Sequence, residues 1–524
     1  MSTALNGRRP TPAAPEATAT TAPAPAPAPK APKGLLPVLL TATFMTALDI
    51  FVVNVALPSL QGELRAGPAA VQWVMAGFSL ALAAGLVTAG RLGDRYGRRR
   101  VFGLGLALFT LSSAACGLAP TAAALVAARV AQGLSAALMG PQVLAILRTA
   151  FSGAAQARAF ARYGLTMGVG AVFGQLIGGL LIRADLFGLG WRSCFLVNLP
   201  IGLAALLLVR RSLPESRAPR RPGLDPVGVL LVTAALTGLV LPLIQGPQLG
   251  WPLWTVLCLG ASLALLAVFA VHQHHASART ASAPARTAPA PNAPAPNASA
   301  PNAPARTASA PGSATPLVDT RLFRSRSFSA GLLAQLAFWL GQGSFFLVLA
   351  LHLQFGRGLD ALGAGLVFTA IGLGYLVTSH TTHRVTARLG ERRTVAVGGL
   401  LMALGLGLLA LTAYGTPVGG PGGGAWWLAP GLFVDGLGMG LVIAPVTSVV
   451  LAGVEPGLAG SAAGVVSTVQ QVGGALGIAL IGLVYYGADD PTAAFGRSVL
   501  ALAVLELVLV GLVRFLPPGA PRQG

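Results

Sequence analysis

The chain has 524 residues, of which 54% are hydrophobic and only 10% charged, with a mean hydropathy of +0.72. These values exclude a soluble globular protein and describe a chain that crosses a membrane many times. The net charge of +20 would suit nucleic acid in a soluble protein, but here the arginines lie between apolar runs, so no nucleic-acid partner is expected.

Residues 1–33 are rich in Pro, Ala and Thr and read as a disordered cytoplasmic tail. The first apolar run is too long for a cleaved signal core and continues into further spans. Crossing the hydrocarbon core takes roughly 20 apolar residues per helix, and fourteen segments qualify. The first six are 35–57, 71–90, 101–119, 122–146, 160–182 and 194–209; two more are 227–246 and 252–272. After a low-complexity stretch, 273–320, come 328–353, 362–383, 394–413, 427–450, 461–485 and 493–513. The stretch 273–320 is built of Ala-Pro-Asn and Ala-Arg-Thr pieces without apolar periodicity and is expected to be a disordered tether.

Charge placement orients the chain. With the N-terminus in the cytoplasm, the opposite loops hold only Arg65, Arg183, Arg192, Arg357 and Arg497; Arg129 lies inside a span, and the other 29 of the 35 Lys+Arg face the cytoplasm. An even number of spans returns the C-terminus, 516–524, to the same side. Cys116, Cys194 and Cys258 all fall in or beside apolar runs and form neither a disulfide framework nor a metal-ligand spacing. No phosphate-cradling Gly-Lys-Ser/Thr loop occurs, which disfavours nucleotide-driven chemistry. No cofactor or metal is expected.

Two halves repeat weakly. Gln132-Gly133 with Gly140-Pro141 in span 4 matches Asp435-Gly436 with Ala444-Pro445 in span 12. Such a repeat suits two six-helix bundles around a central pathway. The bundles are drawn at 34–212 and 321–515, with two inserted spans in 213–272. The fold class is therefore an all-α membrane protein of fourteen helices.

Ionisable residues inside spans are costly and usually functional. Asp49, Arg129 and Asp435 each lie roughly 10–12 Å from the outer end of their spans, at 1.5 Å per residue, and are expected to share one cavity. Asp49 beside Arg129 is the first choice for proton coupling, although the same pairing would also serve as a fixed structural ion pair. Asp435 and Glu506 are candidate cavity acids, joined by the amides Gln132, Gln335, Gln342 and Gln471. A mostly apolar lining with aromatics such as Trp73, Phe78, Trp339 and Phe345 suits lipophilic organic molecules.

Between spans 2 and 3 the chain reads Gly90-Arg91-Leu92-Gly93-Asp94-Arg95-Tyr96-Gly97-Arg98-Arg99-Arg100. This short basic loop resembles the loop between spans 2 and 3 of the major facilitator superfamily. Leu48-Asp49-Ile50 through Leu57-Pro58, Val71-Gln72-Trp73, Arg129 through Gly133, Trp191 through Gly202 and Gly460 through Gly482 resemble the fourteen-span drug/proton antiporters of that superfamily. The resemblance covers 35–515 apart from the tether. It implies proton-driven efflux of drugs or lipophilic metabolites by alternating access, with the plasma membrane, protons and a small-molecule substrate as partners, and a monomer. The runner-up is a same-fold transporter of one dedicated solute, such as an amino acid, sugar or siderophore. In this reading Gly90, Gly93, Asp94, Arg95, Gly97 and Arg98 form a gating loop, with Asp94 pinning the two bundles together. The family's span-5 motif Gly-Pro-x-x-Gly-Gly reads here Gly174-Gln175-Leu176-Ile177-Gly178-Gly179. Gln175 replaces the proline, so the backbone hydrogen bond that a proline deletes can persist.

Overall fold

Fourteen helices are long and apolar enough to cross a membrane in the computed structural model, which describes residues 32, 34–217, 223–282, 316–415, 424–452, 454–455 and 458–516. Six precede the inserted pair: α1 (Leu35–Glu63), α2 (Pro68–Tyr96), α3 (Arg98–Gly117), α4 (Ala122–Ala150), α5 (Gly153–Ala184) and α6 (Asn198–Ser212). The pair is α7 (Pro226–Leu249) and α8 (Leu253–Ser282). Six follow: α9 (Arg326–Leu351), α10 (Ala361–Leu389), α11 (Glu391–Gly415), α12 (Ala429–Ala452), α13 (Ala459–Tyr486) and α14 (Pro491–Val513).

Several helix starts follow from local chemistry. Asp225 and Asp490 accept from Gly228 N–H and Ala493 N–H, each just before a proline at the first helical position. Ser325 and Asp360 cap α9 and α10 in the same way. The helices outrun the apolar segments. At about 1.5 Å per residue, the 29 residues of α1 exceed the hydrocarbon core.

Leucines on the outward faces recur at helical spacing, as with Leu104, Leu108 and Leu111 on α3. On a soluble protein such stripes would be a liability; here they face lipid.

The packing repeats between halves. In the first, α1 packs on α5 and α6, α4 on α2 and α3, and α3 on α6. In the second, α9 packs on α13 and α14, α12 on α10 and α11, and α11 on α14. The bundles meet along α2–α13 and α5–α10, the two seams that a pseudo-twofold axis would generate. We call the face on which α1 begins and α14 ends the terminal face. Contacts between bundles gather toward the opposite face. Gln354 Nε2 donates to the Val55 carbonyl (3.1 Å), Arg183 pairs with Asp360 (3.6 Å), and the Phe51 and Phe346 rings meet edge-on at 5.3 Å.

Two boundaries differ from the sequence reading. The stretch 90–100 is helical on both sides of a single break at Gly97. The tether drawn at 273–320 is helical through Ser282 and described again from Pro316; the remainder, like the tails 1–31 and 517–524, lies outside the described residues.

Candidate functional site

The densest buried polar network lies inside the first bundle. Asp49 of α1 and Arg129 of α4 are 0% and 1% exposed. Arg129 Nη1 lies 2.5 Å from Asp49 Oδ2. Gln132 Nε2 donates to Asp49 Oδ1 at 2.7 Å, and Asn198 Nδ2 donates to the same oxygen at 3.3 Å. The carboxylate therefore accepts from three side chains, which is what a charge enclosed in an apolar bundle requires.

Arg129 has further partners of its own. Its Nε donates to the Val74 carbonyl (3.0 Å), its Nη1 to Gln132 Oε1 (2.8 Å), and its guanidinium lies 4.3 Å from the Phe78 ring centroid. Asn198 also donates to Ser113 Oγ (3.0 Å), which donates to the Phe195 carbonyl (2.9 Å). The network thus ties α1, α2, α3, α4 and the start of α6. Asn198 and Ser113 were not singled out by sequence. The usable signal was Asn198 in Asn-Leu-Pro, an amide at a helix start inside an apolar run.

The expected common cavity for Asp49, Arg129 and Asp435 is corrected here. Asp435 of α12 is buried in the other bundle, where Gly405 of α11 lets the α12 backbone pass closely. Depth fixed its height but not the helix face it occupies. Glu506 of α14 is within electrostatic reach of Asp435, and its Oε1 overlies Gly341 of α9. Both Asp435 oxygens and Glu506 Oε2 have no hydrogen-bond partner among the described residues.

The amides also divide. Gln132 belongs to the Asp49 network and Phe78 lies under Arg129. Gln335 Nε2 donates to Thr447 Oγ1 (2.7 Å), while Gln335 Oε1 accepts from Trp339 Nε1 (3.0 Å) and Gln470 Nε2 (3.4 Å). This cluster joins α9, α12 and α13. Gln342 is buried on α9, and Gln471 is half-buried on α13.

The basic stretch is a corner where helices lock. Gly97 sits at φ +111, open to glycine and strained for other residues. Gly93 gives room to the Gln142 amide, which donates to the Ala89 carbonyl (2.7 Å), and Gly90 faces Pro141. Asp94 accepts from Arg98 Nη2 at 2.9 Å, one turn on, and Arg95 stacks over Tyr96. Asp94 therefore pairs within its own corner and does not pin the bundles as expected. Within the same bundle, Glu215 just after α6 holds this corner: it accepts the Arg99 N–H (3.1 Å) and lies 3.6 Å from both the Arg99 and Arg100 Nε atoms.

On α5 the glycines form two contact faces. A Cβ at Gly174 or Gly178 would come within 2.9 Å of Phe51 or 2.7 Å of Val52 on α1. A Cβ at Gly179 would stand 2.5 Å from the Ala361 carbonyl of α10. Gln175 is buried with its Nε2 unpartnered, in a helix that runs unbroken from Gly153 to Ala184. Among the described residues, no group of His, Cys, Asp and Glu is placed to hold a metal.

Two pseudosymmetric bundles of membrane-crossing helices, with a buried ion pair in one, define a multi-pass membrane transporter. Residues 39–478 match the Major Facilitator Superfamily, and the chain belongs to that family, one whose members are generally not enzymes. It is 37% identical over 454 residues to a "Probable actinorhodin transporter" of Streptomyces coelicolor, covering 86% of this chain and 72% of that one. It is 34% identical to the "Cephamycin export protein CmcT" of Amycolatopsis lactamdurans, covering 91% and 93%. It is 33% identical to a "Tetracenomycin C resistance and export protein" of Streptomyces glaucescens, covering 84% and 73%. Among solved structures, the peptide transporter POT in complex with sulfate matches at TM-score 0.64 and 18% identity, covering 93% and 96%. The xylose transporter XylE from E. coli matches at 0.58 and 13%, covering 92% and 99%. These two likenesses concern the fold.

Proposed function

We propose that the protein is a proton-coupled exporter of antibiotics or other lipophilic secondary metabolites, working by alternating access as a monomer in a bacterial plasma membrane. The terminal face is the cytoplasmic one, in line with the 29 of 35 Lys+Arg placed there. Contacts between bundles gather at the other face, so this conformation is open toward the cytoplasm. The exporting relatives supply the substrate class.

The observation that carries the coupling is the Asp49 network. A carboxylate with no route to water can exchange its proton only when the bundle shifts. On protonation Arg129 keeps the Val74 carbonyl, Gln132 and the Phe78 face. Its charge is not stranded, so the cost of breaking a buried ion pair is softened. Asn198 and Gln132 hold the carboxyl in place through the change.

The test is accumulation of a lipophilic aromatic polyketide antibiotic in an efflux-deficient bacterium. Expression should lower steady-state accumulation several-fold, and a protonophore should restore it. Unchanged accumulation, or efflux indifferent to the protonophore, would contradict the proposal.

A further inference from the structure

The inserted helices lie across the junction of the two bundles. α7 packs on α2 of the first and on α13 of the second. Toward the terminal face they do not fill the seam, and a cavity of about 370 Å³ remains, within the range of small-molecule sites. Ala84 of α2, Val465 and Val469 of α13, and Phe269 and Ala270 of α8 are among its walls. Ala270 is exposed and Phe269 half-buried on α8, a helix that is itself mostly unburied, so the cavity communicates with the bilayer.

One polar group in this wall stands out. Hydroxyls on these helices commonly donate to a carbonyl one turn back, as Thr110 does to Leu106 (2.8 Å) and Thr447 to Ile443 (3.0 Å). Thr468 is one of the residues around the cavity, and its Oγ1 is buried with no hydrogen-bond partner among the described residues. A buried hydroxyl is costly unless it is hydrogen-bonded.

The polar groups at the cytoplasmic end are engaged with one another. Asp225 accepts from His272 Nε2 (2.9 Å) and Gln273 Nε2 (2.8 Å), and Gln273 Oε1 accepts from the Val318 N–H (3.1 Å). Arg91 donates to the Gly223 carbonyl (3.0 Å) and to the Pro316 carbonyl. A phospholipid headgroup would have to displace these bonds to reach the arginine.

We propose that this cavity binds an uncharged lipophilic small molecule drawn from the cytoplasmic leaflet, with its one hydrogen-bonding group on Thr468. The inserted pair thereby forms a membrane-side receiving site for the exported substrate. This rests on the export reading above.

The test uses the full chain in inside-out vesicles with the photoprobe trifluoromethyl-diazirinyl benzyl alcohol, followed by peptide mapping. Adducts should concentrate around 265–273 and 465–469 and be displaced by an excess of an exported lipophilic dye. Thr468→Val, which keeps the volume, should lower this labelling several-fold. Ala270→Trp, on the loosely packed α8, should block it and slow dye export. Labelling spread evenly over lipid-facing helices, or unchanged in both variants, would overturn the site. So would labelling that the dye does not displace, which marks a lipid-tail position. If the wild type exports the dye without labelling here, the site fails and the export reading stands. If the site is labelled and displaced yet nothing is exported, the export reading fails and the site stands.

Discussion

Asp49 and Asp435 are both acids buried at mid-helix, but what surrounds them differs. Hydropathy and depth located both, because an acid in a run of Leu and Val is conspicuous. What they could not supply was azimuth. Asp49 faces three donors in its own bundle, while neither Asp435 oxygen has a donor among the described residues. The network sets an asymmetric expectation for substitution. Asp49→Asn keeps the shape and part of the hydrogen bonding, but an amide does not titrate in this range. It should fold and insert normally while gradient-driven export falls at least ~10-fold, the scale on which one positioned protonatable group matters. Arg129→Met leaves the Asp49 charge enclosed without its cation, and loss of one member of a buried pair costs about 3–5 kcal/mol. A lower melting temperature in detergent for Arg129→Met than for Asp49→Asn checks this order; the reverse order would contradict the pairing.

At the scale of elements, the spans were legible because each needs a long apolar run. Their ends were not. Polar composition closed span 8 at 272, yet the helix continues to Ser282, since a helix leaving the bilayer stays helical while its polar face is solvated. The glycines and arginines of 90–100 read as a loop, although only Gly97 departs from helix. The glycines of α5 meet specific partners on α1 and α10. Gly178→Leu would drive a side chain into Val52 of α1, an overpacking that typically costs about 1–3 kcal/mol. Its thermal stability should fall accordingly, whereas substitution at Gly164, which has open space around it, should not lower it. The clasp at the terminal-face end of α7 gives a pH dependence. Burial works to raise the Asp225 carboxyl, but the Gly228 N–H, His272 and Gln273 together hold it below its ordinary 3.8. A carboxyl depressed in the folded state stabilises above its unfolded value, and that contribution is lost as pH falls through the folded one. Hydrogen exchange in 270–282 and 316–320 should therefore accelerate below about pH 4, and Asp225→Asn should show the faster exchange already at neutral pH. Unchanged exchange in that variant would mean the clasp does not hold the pair.

At the scale of the whole molecule, the repeated Gln132-Gly133 and Asp435-Gly436 segments foreshadowed the pseudo-twofold arrangement, because equivalent helices need equivalent close approaches. No sequence signal told which face of the seams is closed, since that is a property of one state of the cycle. The Arg183–Asp360 pair, 3.6 Å apart across the α5–α10 seam, is the place to hold that state. Arg183→Cys with Asp360→Cys should cross-link under oxidation, stop export, and recover with a reductant; export unaffected by the cross-link would refute a moving seam. The central claim is that substrate leaves the cytoplasm in exchange for protons, with Asp49 as the carrier. Its most direct measurement is proton movement driven by substrate alone. Purified protein is reconstituted in proteoliposomes with a pH dye inside and no imposed gradient, and a gradient of exported antibiotic is applied. The wild type should shift the internal pH in the direction opposite to antibiotic flow, and Asp49→Asn should give no shift. Antibiotic flux with no pH change in the wild type, or an equal pH change in Asp49→Asn, would contradict the account.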